Sequence, residues 1–354
     1  MNKLLYIILI SLFSLTIYSC SSDDAATTTA TTDNTTTSSD DTTTTDNTTT
    51  DNTTADDTTT DDTTTSSSGS GVFVAVGASG NILRSTDNGS SFDNATSPTS
   101  NILRGVTFGN NTFVGVGVSG NIVKSSDNGS SFDNVTSLTA NNLLEVTFGN
   151  NTFVAVGASG NIVRSSNNGS SFDNASSPTA NGIYGVGFAN NTFVGVGNSG
   201  NIVRSTDNGS SWDNATSPTA NNLRGVGFGN NTFVGVGVSG NIVRSTDNGS
   251  SFDNATSPTA ITLRGVTFGN NTFVGVGSSG NIVRSTDNGS SFDNVTSGLP
   301  GTSDYNILGV TFGNDTFIAV GKGGNIVRST DNGSSWDNAT SPTANIFYGV
   351  TFSE

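Results

Sequence analysis

Reactive side chains are scarce in this chain of 354 residues: it has no histidine, and its single cysteine is Cys20. Imidazole catalysis, catalytic thiols in the body of the chain, disulfides and His/Cys zinc sites are therefore excluded. Any chemistry falls to carboxylates, tyrosine, hydroxyls, lysine and arginine. Against a repetitive background a few such groups break the pattern: Arg104, Glu145, Tyr184, Arg224, Arg264, Asp304, Tyr305, Lys322 and Tyr348. Hydrolysis of a glycosidic bond needs two carboxylates flanking it. The set offers only Glu145 and Asp304, whose separation the sequence does not give. The set reads as a candidate binding face, with no cofactor and no metal. The recurring run Asp-Asn-Gly-Ser-Ser-Phe-Asp lacks the alternating oxygen ligands of a calcium loop.

What must position these groups is a repeat of about forty residues, clearest at 222–261 as NLRGVGFGNNTFVGVGVSGNIVRSTDNGSSFDNATSPTAI. A period of this length marks a repeat architecture. Each unit holds four short alternating stretches, A to D; in the second unit they are 103–108, 112–116, 121–125 and 131–135. Between them stand Gly109-Asn110-Asn111, Ser119-Gly120 and Asp127-Asn128-Gly129, residues that tolerate the positive φ of tight hairpins. Four-stranded antiparallel units repeated in this way predict an all-β, seven-bladed β-propeller over residues 71–354. Nineteen of the 21 phenylalanines and both tryptophans return to three fixed places per unit, as core residues between sheets do. The first unit lacks an A strand, and the chain ends with an A strand at 346–352 and no B after it. The C-terminal strand is therefore expected to pair into the first blade and close the ring.

The run Ser-x-Asp-x-Gly-x-x-Phe/Trp resembles the Asp-box, or BNR repeat. Seven copies start at Ser85, Ser125, Ser165, Ser205, Ser245, Ser285 and Ser329. Asp87, Asp127, Asp207, Asp247, Asp287 and Asp331, with Asn167 in the third copy, are expected to accept turn hydrogen bonds. Gly89, Gly129, Gly169, Gly209, Gly249, Gly289 and Gly333 take the positive-φ position. The box occurs in sialidases, Vps10-type receptors, some xyloglucan-cleaving enzymes and the photosystem II assembly factor family, and the resemblance implies a structural role away from any active site. The sialidase version implies an arginine triad gripping a carboxylate, a tyrosine nucleophile with an acidic partner, and an aspartic acid. Arg104, Arg224 and Arg264, with Tyr184 or Tyr348 and Glu145, offer those residue types, so a sialidase-like glycoside hydrolase is a third reading, but this chain lacks the sialidase Arg-Ile-Pro sequence and has only one short insertion where such sites are built from several. The photosystem II assembly factors are similar in unit length and in the run GNIVRSTDNGSSW, and that resemblance implies non-catalytic binding of protein segments.

The copies differ mainly at one end. A–B and C–D turns should share one monotonous face, and B–C turns and D–A connections the other. At the start of strand A the series is Arg104, Leu144, Tyr184, Arg224, Arg264, Leu308, Tyr348, and Glu145 replaces a glycine. The last D–A connection is longer and brings in Asp304 and Tyr305, and Lys322 occupies a B–C turn. A surface that varies on a constant scaffold reads as a recognition face for a protein or glycan; a purely structural repeat protein is the alternative, because drift leaves the same pattern. Basic residues recurring on strand C (Arg84, Lys124 and equivalents) are expected to pair with the D-strand aspartates such as Asp93 and Asp133.

Residues 1–20, with Lys3 followed by an apolar run, read as a secretion signal too short to span a membrane. The ending Ile17-Tyr18-Ser19-Cys20 resembles a bacterial lipoprotein signal, which implies lipid attachment at Cys20 and an outer-membrane or cell-surface address. Residues 21–70 are almost wholly Thr, Ser, Asp and Asn, with eleven aspartates and no base, and are expected to form a disordered tether. The chain from Gly71 onward carries seventeen acids against eleven bases, or −6 of the total −16. This balance argues against nucleic acid and an anionic membrane face as partners, leaving the lipid as the membrane contact.

Overall fold

The computed structural model describes residues 71–353. The expected signal, Cys20 and the tether lie outside the described residues. Seven four-stranded antiparallel sheets follow one another around a ring, each in the order A-B-C-D. The second blade is typical, with strands Leu103–Gly109, Thr112–Gly117, Ile122–Ser125 and Asp133–Val135. Closure is as expected: Phe347–Ser353 pairs antiparallel with Val72–Gly77, so the two ends of the domain share the first blade. The Ser353 hydroxyl accepts the Val72 amide at 2.9 Å, pinning the last residue of this sheet to the first.

Two elements depart from the alternating pattern. B strands are buried along their whole length, as in Thr112–Gly117, because each sits mid-blade with a neighbouring blade on either face. D strands are shorter than expected and begin only at Asp133. Ser131 is already committed to Asp127, donating its amide at 3.0 Å and its hydroxyl at 2.6 Å, and Phe132 turns inward. The B–C connection is a single turn of 3-10 helix, Val118–Gly120, with Ser119 at φ 57°.

The core is not one mass but seven seams. Phe73, Leu83 and Phe92 of the first blade pack with Ile318, Val320 and Ile326 of the seventh, and the pattern repeats around the ring. Each A-strand phenylalanine lies half-buried on the B-strand phenylalanine of its own blade, as Phe108 does on Phe113 at 4.7 Å between centroids. A fully buried ring of this kind contributes roughly 2–3 kcal/mol, so the seams hold most of the domain's stability.

The box performs its expected local work. Asp87 Oδ1 accepts from the Ser85 hydroxyl (2.8 Å) and the Ser91 amide (3.0 Å), and Oδ2 accepts from the Ser91 hydroxyl (2.6 Å). Gly89 sits at φ 77°, and a Cβ there would lie 2.3 Å from Ile318 Cδ1 of the preceding blade, so the position demands glycine twice over. Asn167 substitutes without loss: its Oδ1 accepts from Ser165 and Ser171 as Asp does, while its Nδ2 donates to the Ser171 hydroxyl at 2.8 Å.

The basic residues of strand C are placed differently from expectation. The strand register does set Arg84 opposite Asp93. Its guanidinium Nε instead donates to the Asn128 carbonyl at 2.8 Å, in the next blade's box, and Arg164, Arg204, Arg244, Arg284 and Arg328 do the same. An exposed ion pair gains little, whereas the turn carbonyl has no strand partner and needs a donor. In return, the box asparagine donates its side-chain amide to a B-strand threonine of the preceding blade, as Asn168 does to Thr112 at 2.8 Å. The box therefore folds a hairpin and also fastens it to its neighbour.

Candidate functional site

Every A strand carries a β-bulge at the same place. In the second blade Leu103 pairs with Gly117 and Gly105 with Val116, so Arg104 is the extra residue. The same displacement singles out Leu144, Tyr184, Arg224, Arg264, Leu308 and Tyr348. A bulge breaks the two-residue alternation and re-aims the side chain it displaces. These seven positions are the variable series read from the sequence, and together with Glu145 they line one opening of about 300 Å³ at the mouth of the central channel. Below it the channel narrows to about 150 Å³ between valines such as Val106, Val226 and Val310 and the glycine backbones beside them.

Around this mouth the aromatic and basic residues interlock. The Arg104 guanidinium lies 4.1 Å over the Tyr348 ring and that of Arg224 lies 4.4 Å over Tyr184, each stack joining adjacent blades. The Tyr184 hydroxyl donates to Asn198 Oδ1 at 2.5 Å, and Arg264 Nε donates to the Ser278 hydroxyl at 3.3 Å. Arg224 Nε is enclosed with no hydrogen-bond partner among the described residues. Burial, and secondarily the charge of neighbouring Arg224, push the Arg264 pKa down. Two like charges thus lie near one another at the opening, an arrangement that an anionic group between them would relieve.

Glu145 enters the channel where six blades have glycine, and its side chain keeps partial contact with the channel space. Its Oε1 accepts the Val146 amide at 3.0 Å and lies over Gly105, where a Cβ would come within 2.7 Å of it. Removal from bulk water pushes its pKa up to about 8, and the Val146 hydrogen bond offsets only part of this. Protein encloses the carboxyl on most sides even though water-sized space touches it, so the upward direction follows from the geometry. With its pKa raised, Glu145 adds less negative charge to the cationic mouth at neutral pH than an ordinary glutamate would.

Asp304, Tyr305 and Lys322 are not brought to this opening. Asp304 and Tyr305 form a short 3-10 turn, Ser303–Tyr305, in the longer connection, and Lys322 Nζ donates to the Ser303 carbonyl at 3.2 Å. The insertion is a rim feature, held to the B–C turn of its own blade. Glu145 is consequently the one carboxyl lining the mouth among the described residues. Leu144 and Leu308 complete the ring; their apolar side chains give no chemical signal, and only their place in the series marks them.

No protein-family profile matches the chain, and no curated protein matches it by sequence. Solved structures do resemble it. YCF48 bound to D1 peptide shares 15% identity over 75% of this chain and 86% of that one, with a TM-score of 0.57. YCF48 from Cyanidioschyzon merolae shares 18% identity over 71% and 89%, also at 0.57. The computationally designed Ika8 protein shares 11% identity over 76% and 80%, at 0.50. At these identities, what the chain has in common with them is the β-propeller fold.

Proposed function

We propose that this protein is a non-catalytic binding propeller that takes a segment of a protein partner at the bulge-lined mouth. The observation that carries the reading is the Arg224–Arg264 pair: two neighbouring cations, one with an unpartnered enclosed Nε, at an opening lined by the residues in which the seven blades differ. A partner presenting an acidic group would offset the repulsion between the two guanidiniums, while Tyr184 and Tyr348 offer aromatic faces beside it. The fold similarity to a YCF48 captured with a D1 peptide supports a peptide-type partner over a glycan. A single carboxyl at the mouth supports the absence of hydrolytic chemistry, since a glycosidase needs two. Attachment through Cys20 would present the mouth at a bacterial envelope.

The deciding experiment screens residues 71–354 on envelope-peptide and glycan arrays beside a folded Arg104→Ala, Arg224→Ala, Arg264→Ala variant. Peptide binding that disappears in the variant is the expected result. Binding that survives would move the site off the mouth, and glycan binding alone would replace the partner class. A Cys20→Ala variant that stays membrane-bound would remove the lipid-anchor reading.

A further inference from the structure

The chain contains eight Asn-Gly steps, seven in the C–D turns and one at Asn181-Gly182. Such steps are prone to a specific reaction because glycine, lacking a Cβ, leaves its amide nitrogen open to approach. That nitrogen, giving its proton to solvent, attacks the asparagine Cγ. The new N–Cγ bond forms as the Cγ–Nδ2 bond breaks and ammonia leaves, closing a succinimide. Water then opens the ring to an aspartyl or isoaspartyl residue, without any redox change.

The propeller treats the eight steps unequally. In six turns the asparagine amide is tied to a B-strand threonine of the preceding blade: Asn88 to Thr316, Asn168 to Thr112, Asn208 to Thr152, Asn248 to Thr192, Asn288 to Thr232 and Asn332 to Thr272, all at 2.7–2.8 Å. All six side chains are half-buried. Asn128 is the exception. Its preceding blade is the one completed by chain closure, where Val72 occupies the threonine's place, and the Asn128 side chain is exposed with no partner among the described residues. Its Gly129 amide is still engaged, donating to the Ser125 hydroxyl at 3.0 Å.

Asn181 is freer still. It lies outside any turn of the box, in the connection before the A strand Ile183–Ala189; its side chain is exposed and unpartnered, and the Gly182 amide donates no hydrogen bond among the described residues. The corresponding residue after the connection's asparagine is Ile102, Asn142, Asn222 or Ile346 in other units, so this step exists in one copy only. We propose that Asn181 is a built-in modification site that deamidates spontaneously in the folded protein, that Asn128 follows, and that the threonine contacts protect the other six. The location bears on the mouth. The Gly182 carbonyl accepts the Asn198 amide at 2.9 Å, and Gly182 packs against Tyr184 and Asn198. A new negative charge, or the extra backbone carbon of an isoaspartyl link, would arise next to that pair. The inference does not depend on what the mouth binds.

The test incubates the full chain at mildly alkaline pH and follows each Asn-Gly step by peptide mapping, with detection of isoaspartate. The expected order is Asn181, then Asn128, then the six turns, with at least a tenfold gap in rate between the first and the last. In denaturant the eight rates should converge, because the sequence step is the same. Gly182→Ile should abolish reaction at Asn181 alone. Val72→Thr should slow Asn128 towards the protected group, and Thr112→Val, which reads in the opposite direction, should accelerate Asn168. Equal folded-state rates at Asn181 and the six turns, or a Thr112→Val variant with unchanged Asn168, would overturn the proposal.

Discussion

The two faces of this propeller are built from the same seven repeats, yet one is nearly uniform and the other is not. On the Asp-box face every copy ties its turn with the same serine hydrogen bond, and all but Lys124 and Asn128 repeat the ties to the neighbouring blades, so a change in one residue breaks several hydrogen bonds at once. At the opposite mouth seven side chains are expelled from their strands by bulges, and two of them stack on a neighbouring blade: Arg104 finds Tyr348 and Arg224 finds Tyr184, whereas Glu145, in register on its strand, finds only the amide of Val146 beside it. The difference shows where the fold fixes residue identity and where it leaves identity open to a partner.

The largest test of this contrast removes the closure on which both faces depend. A chain ending at Asn345 loses the A strand of the first blade and should no longer melt cooperatively by circular dichroism, because the ring then exposes an unpaired strand and an open seam. A melting curve like that of the full domain would show that the seams hold without closure. Next, Asp207→Ala removes acceptors for the Ser205 and Ser211 hydroxyls and the Ser211 amide. It should cost about 1–3 kcal/mol in chemical denaturation, whereas Asn167→Asp should be near neutral.

Acid separates the faces further. Slight desolvation raises the pKa values of Asp127, Asp207 and Asp331, but the hydrogen bonds from serine outweigh it and bring them to about 2. The folded values lie below the unfolded ones, so this stabilisation is full above about pH 4 and fades as pH falls towards 2. Glu145 has the opposite sign. Its folded value of about 8 exceeds the ordinary 4.5, so the fold binds the extra proton and loses stability as pH rises between those values. Glu145→Gln should leave stability unchanged below pH 4 and raise it by about 1–3 kcal/mol above pH 8, a figure discounted for the partial contact of the carboxyl with the channel. The smallest expected effect is that of Arg224→Ala, within about 0.5 kcal/mol of wild type or slightly stabilising, since it relieves the crowding with Arg264. A loss as large as that of the box variants would mean that the mouth is structural after all.

Much of this was legible from residues alone. The Asn-Gly and Asn-Asn turns, the three aromatic positions and the missing A strand at Val72 specify blades, their number and their closure, because hairpins and alternation are local and a forty-residue period leaves little freedom in how copies stack. The seven-position series at the start of strand A could likewise be read as facing one mouth. Its bulges could not, since Leu103-Arg104-Gly105 carries no mark of the extra residue, which appears only against Gly117 and Val116 of the partner strand. The strand-C arginines misled for the same reason: a sequence shows the strand opposite, Asp93, but not the turn of the next blade.

By itself, then, the sequence determined the seven-bladed ring, the hairpin role of the box and the positions that vary. These rest on short-range backbone preferences and on a hydrophobic pattern repeated often enough to be unambiguous. Only the tertiary structure decided that Asp304 stays at the rim while Glu145 enters the channel, that the Arg224 Nε is left without a hydrogen-bond partner among the described residues, and that Asn128 alone among the box asparagines lacks its threonine. Each of these rests on contacts between residues distant in the chain or on burial set by the assembled ring, and no short stretch of sequence contains that information.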